Sequence, residues 1–584
     1  MHSETAAVLA LRSLLNCVAR EYAQQIRWTK ISSGDLLTID FASGGKMEVP
    51  ILYRSKTGHH LFGAPVRLHG PRGQENLSAA DAIDILIEEL EPAAEARSGK
   101  DDMLRRAHES RRNISAALEG RATDLEALIG EEVSFIAAEQ GLIAGHGIHP
   151  CPKSRDGMTD AQARRYSPEF CGAFPLRWFA VERSYVHSGH SSGAPSPEDW
   201  LAESLGSELE SVKARLPKGD FALLPVHPWQ AEEMLKDPAI AALAQAGNLV
   251  DCGEAGKPWL ATSSVRTLYR ADAPFMLKLS LGIGITNSVR INLARELHRG
   301  DDMYRFRRHR IWQEFSSSYP GLTFIPDPAF MGVKIDGEVV DGLSVSFREN
   351  PFVGADASRN VTLLAALCEH LPGRGSRVGA LIRSKAYQEG RLTDAVAQDW
   401  FARFLKVFVR PVFGIYLRFG IATEAHQQNT LVEIENGYPL GVFYRDNQGF
   451  FHHDRAHKML VEHLPGIGDR SESVFGEEAV DERLLYYGFI NSVFGMIGAI
   501  GREHLIAEEK LLDMLREELL RLEALEGANS HLVRKMLAPV LQCKANLRTR
   551  LAKMDELVGP LETQSVYLEI GNPLYQSEKV LANA

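Results

Sequence analysis

The spacing of apolar residues divides the chain into three textures. Residues 6–27 carry apolar positions at helical intervals with acids and bases between them, which predicts an amphipathic helix. Residues 36–53 alternate instead and hold Gly44-Gly45, which predicts strands joined by a turn. Helical spacing returns over 79–90 and 101–140. From Gly141 the apolar runs shorten to 176–181, 221–226, 275–281 and 324–335, split by Gly, Pro and His. That texture predicts a β-rich region with functional loops at strand ends. Past Asp394, helical patterns resume at 400–419, 482–500, 507–525 and 530–554. A strand pair at 429–434 and 440–444, turned by Asn436-Gly437, interrupts them. The expected fold class is α+β, with lobes at 1–140, 141–393 and 394–584.

A chain of 584 residues exceeds one compact core, which agrees with several lobes. Apolar and charged contents of 45% and 24% are those of an ordinary globular protein. The net charge of −11 and a pI of 6.0 argue against nucleic acid as a partner. A local basic pocket for a small anion is still compatible with that balance. The first 20 residues lack the basic head and apolar run of a signal peptide. No charge-free apolar stretch reaches bilayer length, and 489–500 reads as a buried helix, so no membrane partner is expected. Cys17, Cys151, Cys171, Cys252, Cys368 and Cys543 form no CxxC pair. Zinc or iron–sulfur ligation is therefore disfavoured, and a reduced cytoplasmic protein is expected.

Four segments hold candidate chemistry. The loop 145–155 places His146, His149, Lys153, Ser154 and Arg155 among prolines that no helix continues through. Cations on such a loop suit an anion, or decorate a surface turn. His227, in Val226-His227-Pro228-Trp229, reads first as a structural corner. In residues 263–290, Ser264 and Arg266 lie two apart, as do Lys278 and Ser280, and Thr286 and Ser288. Arg290 is four from Thr286. On strands each set shares a face, setting hydroxyls beside fixed cations that recognise phosphate or carboxylate. Gly282 and Gly284 would admit close backbone approach, yet the run is neither a P-loop nor a dinucleotide fingerprint. The competing reading is an amphipathic sheet with a solvated face. In residues 424–446, Glu424, Asn429 and Asp446 offer the oxygen donors that hold Mg²⁺ against phosphates, with His426 turned to an anionic substrate. The competing reading there is a helix end and hairpin stabilised by polar side chains. His452, His453 and His457 beside Asp454 read as a solvated turn rather than a metal site.

These segments together resemble the IucA/IucC family of NRPS-independent siderophore synthetases. The resemblance rests on GHGIHPCPKSR, LPVHPWQ, SSVRT, KLSLGIGITNSVR, EAHQQNTLV, the pair Arg445-Asp446, KANL and a terminal NPL, in the family's order. It covers about residues 140–575; residues 1–140 match by position and texture alone. Gly147 follows His146 where proline is usual in the family. The resemblance implies a cupped-hand fold with fingers (1–140), palm (141–393) and thumb (394–584), the last similar to ferric-reductase proteins. It implies ATP-dependent adenylation of a carboxylate such as citrate. An amine or alcohol then attacks: a polyamine, an amino acid or an amino alcohol. Ser264, Arg266 and Lys278 would bind ATP phosphates, with His146, His149, Lys153, Ser154 and Arg155 closing over them. Thr286, Arg290 and His426 would orient the acid, and Glu424, Asn429 and Asp446 would hold Mg²⁺. A homodimer is expected from the same resemblance.

The physical logic is consistent. Citrate and ATP repel each other, and fixed cations plus a metal offset that repulsion. Attack on the acyl-adenylate needs positioning and loss of a proton rather than an enzyme nucleophile. Two rival readings remain at this level. A kinase-like phosphotransferase is echoed by His426, Asn429 and Asp446, but Gln427 and Gln428 stand where its catalytic base belongs. A non-enzymatic ferric-siderophore binding or reductase-related protein would need a carboxy-terminal cysteine cluster, where only Cys543 stands.

Overall fold

A computed structural model describes residues 2–32, 34–71, 73–90, 97–527, 531–554 and 565–575. In the amino-terminal lobe, the helix His2–Glu21 buries Leu11, Leu14, Leu15 and Val18 against an antiparallel meander. Leu37 and Ile39 of the strand Gly34–Asp40 and Met47 and Val49 of Lys46–Tyr53 point into the same core, two apart as a pleated strand requires. The predicted helix over 6–27 stops at Glu21, and residues 26–27 already belong to the strand Ile26–Ile31. Trp28, Thr29 and Ile31 in that strand are β-formers, and pairing with Gly34–Asp40 wins over helix continuation.

The central lobe is built on an eight-stranded antiparallel sheet. One face carries Phe275, Leu277, Leu279, Val345 and Phe347 into a core with Trp178, Trp259 and Trp200, the last from the helix Pro197–Lys213. The other face alternates to Lys278, Ser346 and Arg348, with Lys278 directly opposite Ser346. These polar residues are also buried, at 2–5% exposure. The buried charge there is paired, Arg348 donating to both carboxylate oxygens of Asp327 at 2.6 and 3.0 Å, which offsets the cost of its burial.

The strand Tyr438–Arg445 runs antiparallel to Thr430–Glu435 and parallel to Leu322–Ile325, while Val361–Leu363 closes the other edge of this four-stranded sheet. Strands from both sides of residue 393 thus form one sheet. Behind it lies the largest core, around Trp400, Phe404, Phe408 and Phe413. The helix expected at 400–419 begins at Thr393 and widens into a π turn over Leu405–Val409. Pro411, two residues beyond its end, has no N–H for the regular ladder.

The expected helix at 482–500 begins at Glu477 and also contains a π segment, Leu485–Val493. By length and composition Glu477–Gly501 could cross a membrane, but 89% of its apolar window is buried inside the protein, as in a core helix. The expected helix at 530–554 is broken, with residue 530 outside the described residues. A helix His531–Leu537 ends before Pro539, a strand Val540–Lys544 pairs with Tyr567–Gly571, and Asn546–Leu551 is helical. Gly498 lets the amino-terminal lobe dock on the long carboxy-terminal helix. A Cβ there would lie 2.8 Å from that of His59 and 2.9 Å from Thr57 Oγ1.

Candidate active site

Residues between Leu142 and Ala365 and between Glu424 and Tyr567 enclose a cavity of about 720 Å³. Its roof is the loop 145–155, and the chain's own hydrogen bonds fix that loop. Glu369 accepts from the N–H groups of Ile143, Ala144 and Gly145 at 3.0, 2.6 and 3.1 Å. His149 Nδ1 accepts from Cys151 N at 3.2 Å, so its proton is on Nε2, which donates to Asn287 Oδ1 at 3.2 Å. Burial holds the His149 imidazole neutral, well below its ordinary pKa. His146 Nδ1 accepts from Ile148 N at 3.1 Å, and its other ring nitrogen lies 2.9 Å from the Asn491 amide nitrogen. Lys153 and Arg155 both reach Glu169, at 3.3 and 2.9 Å. Ser154 turns away from the cavity and donates to Glu109 at 2.8 Å, pinning the loop to the helix Arg97–Gly120.

The expectation that Ser264 and Arg266 share a strand face fails. Thr262 to Arg266 is a turn, with Val265 at φ +67°, and Ser264 Oγ accepts from Thr267 N at 3.1 Å. Ser264 faces the cavity. Arg266 is buried behind it and donates to Ile291 O, Asn292 Oδ1 and Gln448 Oε1 at 2.9, 3.0 and 2.7 Å. Burial lowers its pKa to about 10. Thr286 is not on a strand either. It stands in the turn of the hairpin Leu281–Ile285/Ser288–Arg290 at φ +55°. The predicted partnership with Arg290 nevertheless forms, because the hairpin folds the guanidinium back to Thr286 Oγ1 at 2.9 Å and Ile285 O at 3.1 Å.

The strand Tyr438–Arg445 delivers Asp446 to the cavity wall. Arg445 anchors the strand end through a buried ion pair with Glu139 at 2.6 Å. Asp446 ion-pairs with Lys278, and Arg348 is 3.8 Å away. Despite burial, these cations hold its carboxyl far below the usual range. Lys278 itself lies behind Asp446 rather than on the cavity surface. Glu424 faces the cavity and pairs with Arg483 at 2.6 Å. His426 Nδ1 accepts from Gln428 N at 3.2 Å, leaving a proton on Nε2. Burial depresses its pKa to about 3, although Asp446 opposes the shift. Asn429 is buried off the cavity, its amide donating to Glu424 O at 3.3 Å.

Ten of the fourteen expected site residues therefore line one cavity, and Ser154, Arg266, Lys278 and Asn429 stand behind it. Sequence reasoning missed Arg483, Tyr487 and Asn491, which also line it. They recur every fourth residue along one helical face, a stripe that periodicity does reveal. Asn546, within the KANL motif, ties three elements together by donating to Ile148 O at 2.7 Å and Tyr486 Oη at 3.1 Å and accepting from Asn287 at 3.3 Å.

Guanidiniums and the neutral imidazoles of His149 and His426 facing carboxylates in one enclosed cleft suit polyanionic small molecules, as an acid–amine ligase requires. The chain belongs to the IucA/IucC family of siderophore synthetases. Residues 134–369 match the IucA / IucC family, and residues 398–559 match the ferric iron reductase FhuF-like transporter family. The chain is 69% identical over 585 residues to the rhizobactin siderophore biosynthesis protein RhbC of Rhizobium meliloti (strain 1021), covering 100% of both. It is 36% identical over 540 residues to a spermidine-citrate ligase of Bacillus anthracis, covering 91% of this chain and 88% of that one. Its fold matches ATP-bound aerobactin synthetase IucA of Klebsiella pneumoniae with a TM-score of 0.87 and 28% identity, over 97% and 100% of the two chains. A full-length likeness to synthetases sets aside the phosphotransferase and the non-enzymatic readings, while the FhuF match falls on the lobe where a reductase likeness was expected.

Proposed function

We propose that the chain activates citrate, or a citrate derivative, with ATP and passes the acyl group to an amine, releasing AMP and pyrophosphate. The observation that carries this reading is the Arg290–Thr286 pair facing the same cavity as His426 and Asp446. Arg290, held by Thr286 and the Ile285 carbonyl, presents a fork suited to a carboxylate. His426 keeps its proton on Nε2, so it serves as a fixed donor that does not titrate near neutrality. As a neutral donor it orients an anionic acid without acting as the base. Ser264 offers a hydroxyl, and the loop 145–155 with Lys153 and Arg155 covers the phosphates. Arg266 and Lys278 act from behind, holding Gln448 and Asp446 in place. The named activities of the relatives, a spermidine-citrate ligase and an N(2)-citryl-N(6)-acetyl-N(6)-hydroxylysine synthase, support citrate and an amine.

Mg²⁺ fits part of the expected donor set. Glu424 and Asp446 present hard carboxylate oxygens to the cavity, which is what Mg²⁺ takes, whereas Asn429 is turned away. Bound there with ATP, the ion would supply charge neutralisation of the phosphates. The reading extends to a homodimer in the cytoplasm. The dimer is what the resemblance to the family implies, and six unpaired cysteines are compatible with a reducing compartment.

The test is an ATP-dependent hydroxamate-trapping screen over citrate, 2-oxoglutarate and succinyl compounds, followed by mass spectrometry with amines. Trapping with citrate and release of AMP and pyrophosphate are expected. Release of ADP, or trapping with none of the acids, would remove the proposal.

A further inference from the structure

Behind the loop that roofs the main cavity lies a second, smaller one of about 40 Å³. It sits where the three lobes meet. The helix His2–Glu21 contributes Arg12 and Arg20, and the loop before the strand Leu61–Phe62 contributes His59. The segment after the helix Leu364–Cys368 contributes Glu369 and His370, and Arg502 caps the long carboxy-terminal helix. His146, Gln427 and Asn491 border both cavities and partition them. Gln427 N donates to Asn491 Oδ1 at 2.9 Å, and its side-chain amide donates to Asn491 O at 2.8 Å.

The charge in this cavity is unbalanced. Arg12 donates to His370 Nδ1 and His370 O at 3.2 and 2.8 Å. Arg20 reaches Thr57 O at 3.4 Å and Cys543 Sγ at 4.0 Å. Arg502 donates to Cys368 O, and its Nε has no partner among the described residues. All these partners are neutral. The one carboxylate lining the cavity, Glu369, already accepts from three backbone N–H groups. Glu503, the next acid, is taken by Arg383 at 2.6 Å and Ser376 N at 2.6 Å. Burial and the neighbouring Arg502 lower Arg12 to about 9, and burial with both arginines lowers His370 to about 4. His59 is likewise held neutral, with its Nε2 unpartnered among the described residues. Three clustered, desolvated guanidiniums thus face the single lining carboxylate of Glu369, an excess of positive charge that an added anion would offset.

We propose that this cavity is a separate anion site, taking one small oxyanion, a phosphate or the carboxylate of a small acid, between Arg12, Arg20 and Arg502. The cavity accommodates such a group, since a single water needs only about 10–15 Å³ by the same measure. Arg12 and Arg20 belong to the first lobe and Arg502 to the last, with Glu369 and His370 between them in sequence. An occupant therefore bridges the lobes directly behind the loop that carries His146. The source is either free phosphate or a free acid, and the guanidinium fork recognises both.

Calorimetric titration of the full chain tests the site, with sodium phosphate and sodium acetate as separate arms. The proteins are wild type, Arg290→Ala, Arg12→Gln and Arg502→Gln, and Arg12→Lys retains the charge. Saturable binding of at least one anion is expected, unchanged by Arg290→Ala and weakened at least about tenfold by Arg12→Gln and by Arg502→Gln. Arg12→Lys should retain most of it, which separates loss of charge from loss of fold. Circular dichroism monitors folding, and Arg20→Gln replaces any variant that does not fold. Phosphate-only or acetate-only saturation identifies the source. Binding lost in Arg290→Ala but kept in Arg12→Gln and Arg502→Gln would place the anion in the main cavity and overturn the proposal. So would non-saturable uptake, which means an adventitious ion only.

Discussion

The carboxylate of Asp446 pairs with the ammonium of Lys278, so a strand end at residue 446 and the central sheet at residue 278 are joined by one charge contact. The contact fixes Asp446 at the cavity wall and keeps it ionised. Its backbone, at φ +81°, is left-handed, which asparagine also tolerates.

Asp446→Asn should therefore keep the fold while leaving Lys278 without its anion. A loss of about 3 kcal/mol is expected, the low end of the penalty for breaking a buried pair because Asp446 borders the cavity. ATP-dependent trapping should fall on the order of 100-fold. Thermal unfolding and the hydroxamate assay check the two effects separately, and near-normal trapping would remove Asp446 from the site.

Arg290→Ala should abolish adenylation, on the order of 1000-fold, with an unchanged circular dichroism spectrum. Arg290→Lys should recover little, because an ammonium cannot reproduce both the fork and the contact with Thr286. If lysine restores full kcat/KM for the acid, bidentate recognition is not what Arg290 supplies.

Metal removal gives a third outcome. Chelation with EDTA should stop trapping, and added Mg²⁺ should restore it, since Glu424 and Asp446 alone add negative charge beside the triphosphate. Full activity in EDTA would exclude a divalent ion from the reaction.

Acid should destabilise this fold earlier than carboxylate protonation alone would. His60, His227 and His426 are each depressed to about 3 by burial. Their pKa is lower folded than unfolded, so the unfolded chain binds more protons between the two values. Their stabilising contribution is complete above about pH 6.5 and is lost as pH falls toward 3. From pH 6.5 to 5 each can contribute about 2 kcal/mol to that loss. His227→Asn tests one of them away from the site. Asparagine can still cap the helix Pro228–Met234, where His227 Nδ1 now accepts from Trp229 N at 3.2 Å. The drop in apparent Tm between pH 7 and 5 should shrink in this variant; an identical drop would show that His227 is not a proton acceptor on unfolding.

Much of the site was legible because its residues cluster in sequence. Loop 145–155 and hairpin 281–290 each bring several polar groups together within about ten residues, and local chain geometry then delivers them to one cavity. Lys278 does alternate with core residues along its strand, as expected, whereas Ser264 and Thr286 occupy turns. Turns do not obey the two-residue period. The helix expected over 530–554 failed for a similar reason. Pro539 ends one helix, and a distant strand, Tyr567–Gly571, recruits the residues after it.

The sequence by itself determined most of the elements, the polar segments and, through ordered motifs, the family of synthetases. Those features depend on local periodicity and on residue chemistry, both of which a linear chain carries. Only the tertiary structure decided which polar groups face the cavity and which brace it from behind. Lys278 and Asp446 are 168 positions apart, and Arg12 and Arg502 come from opposite ends of the chain. Pairing at such separations is set by how the separate cores pack against one another, and no short window of sequence contains that information.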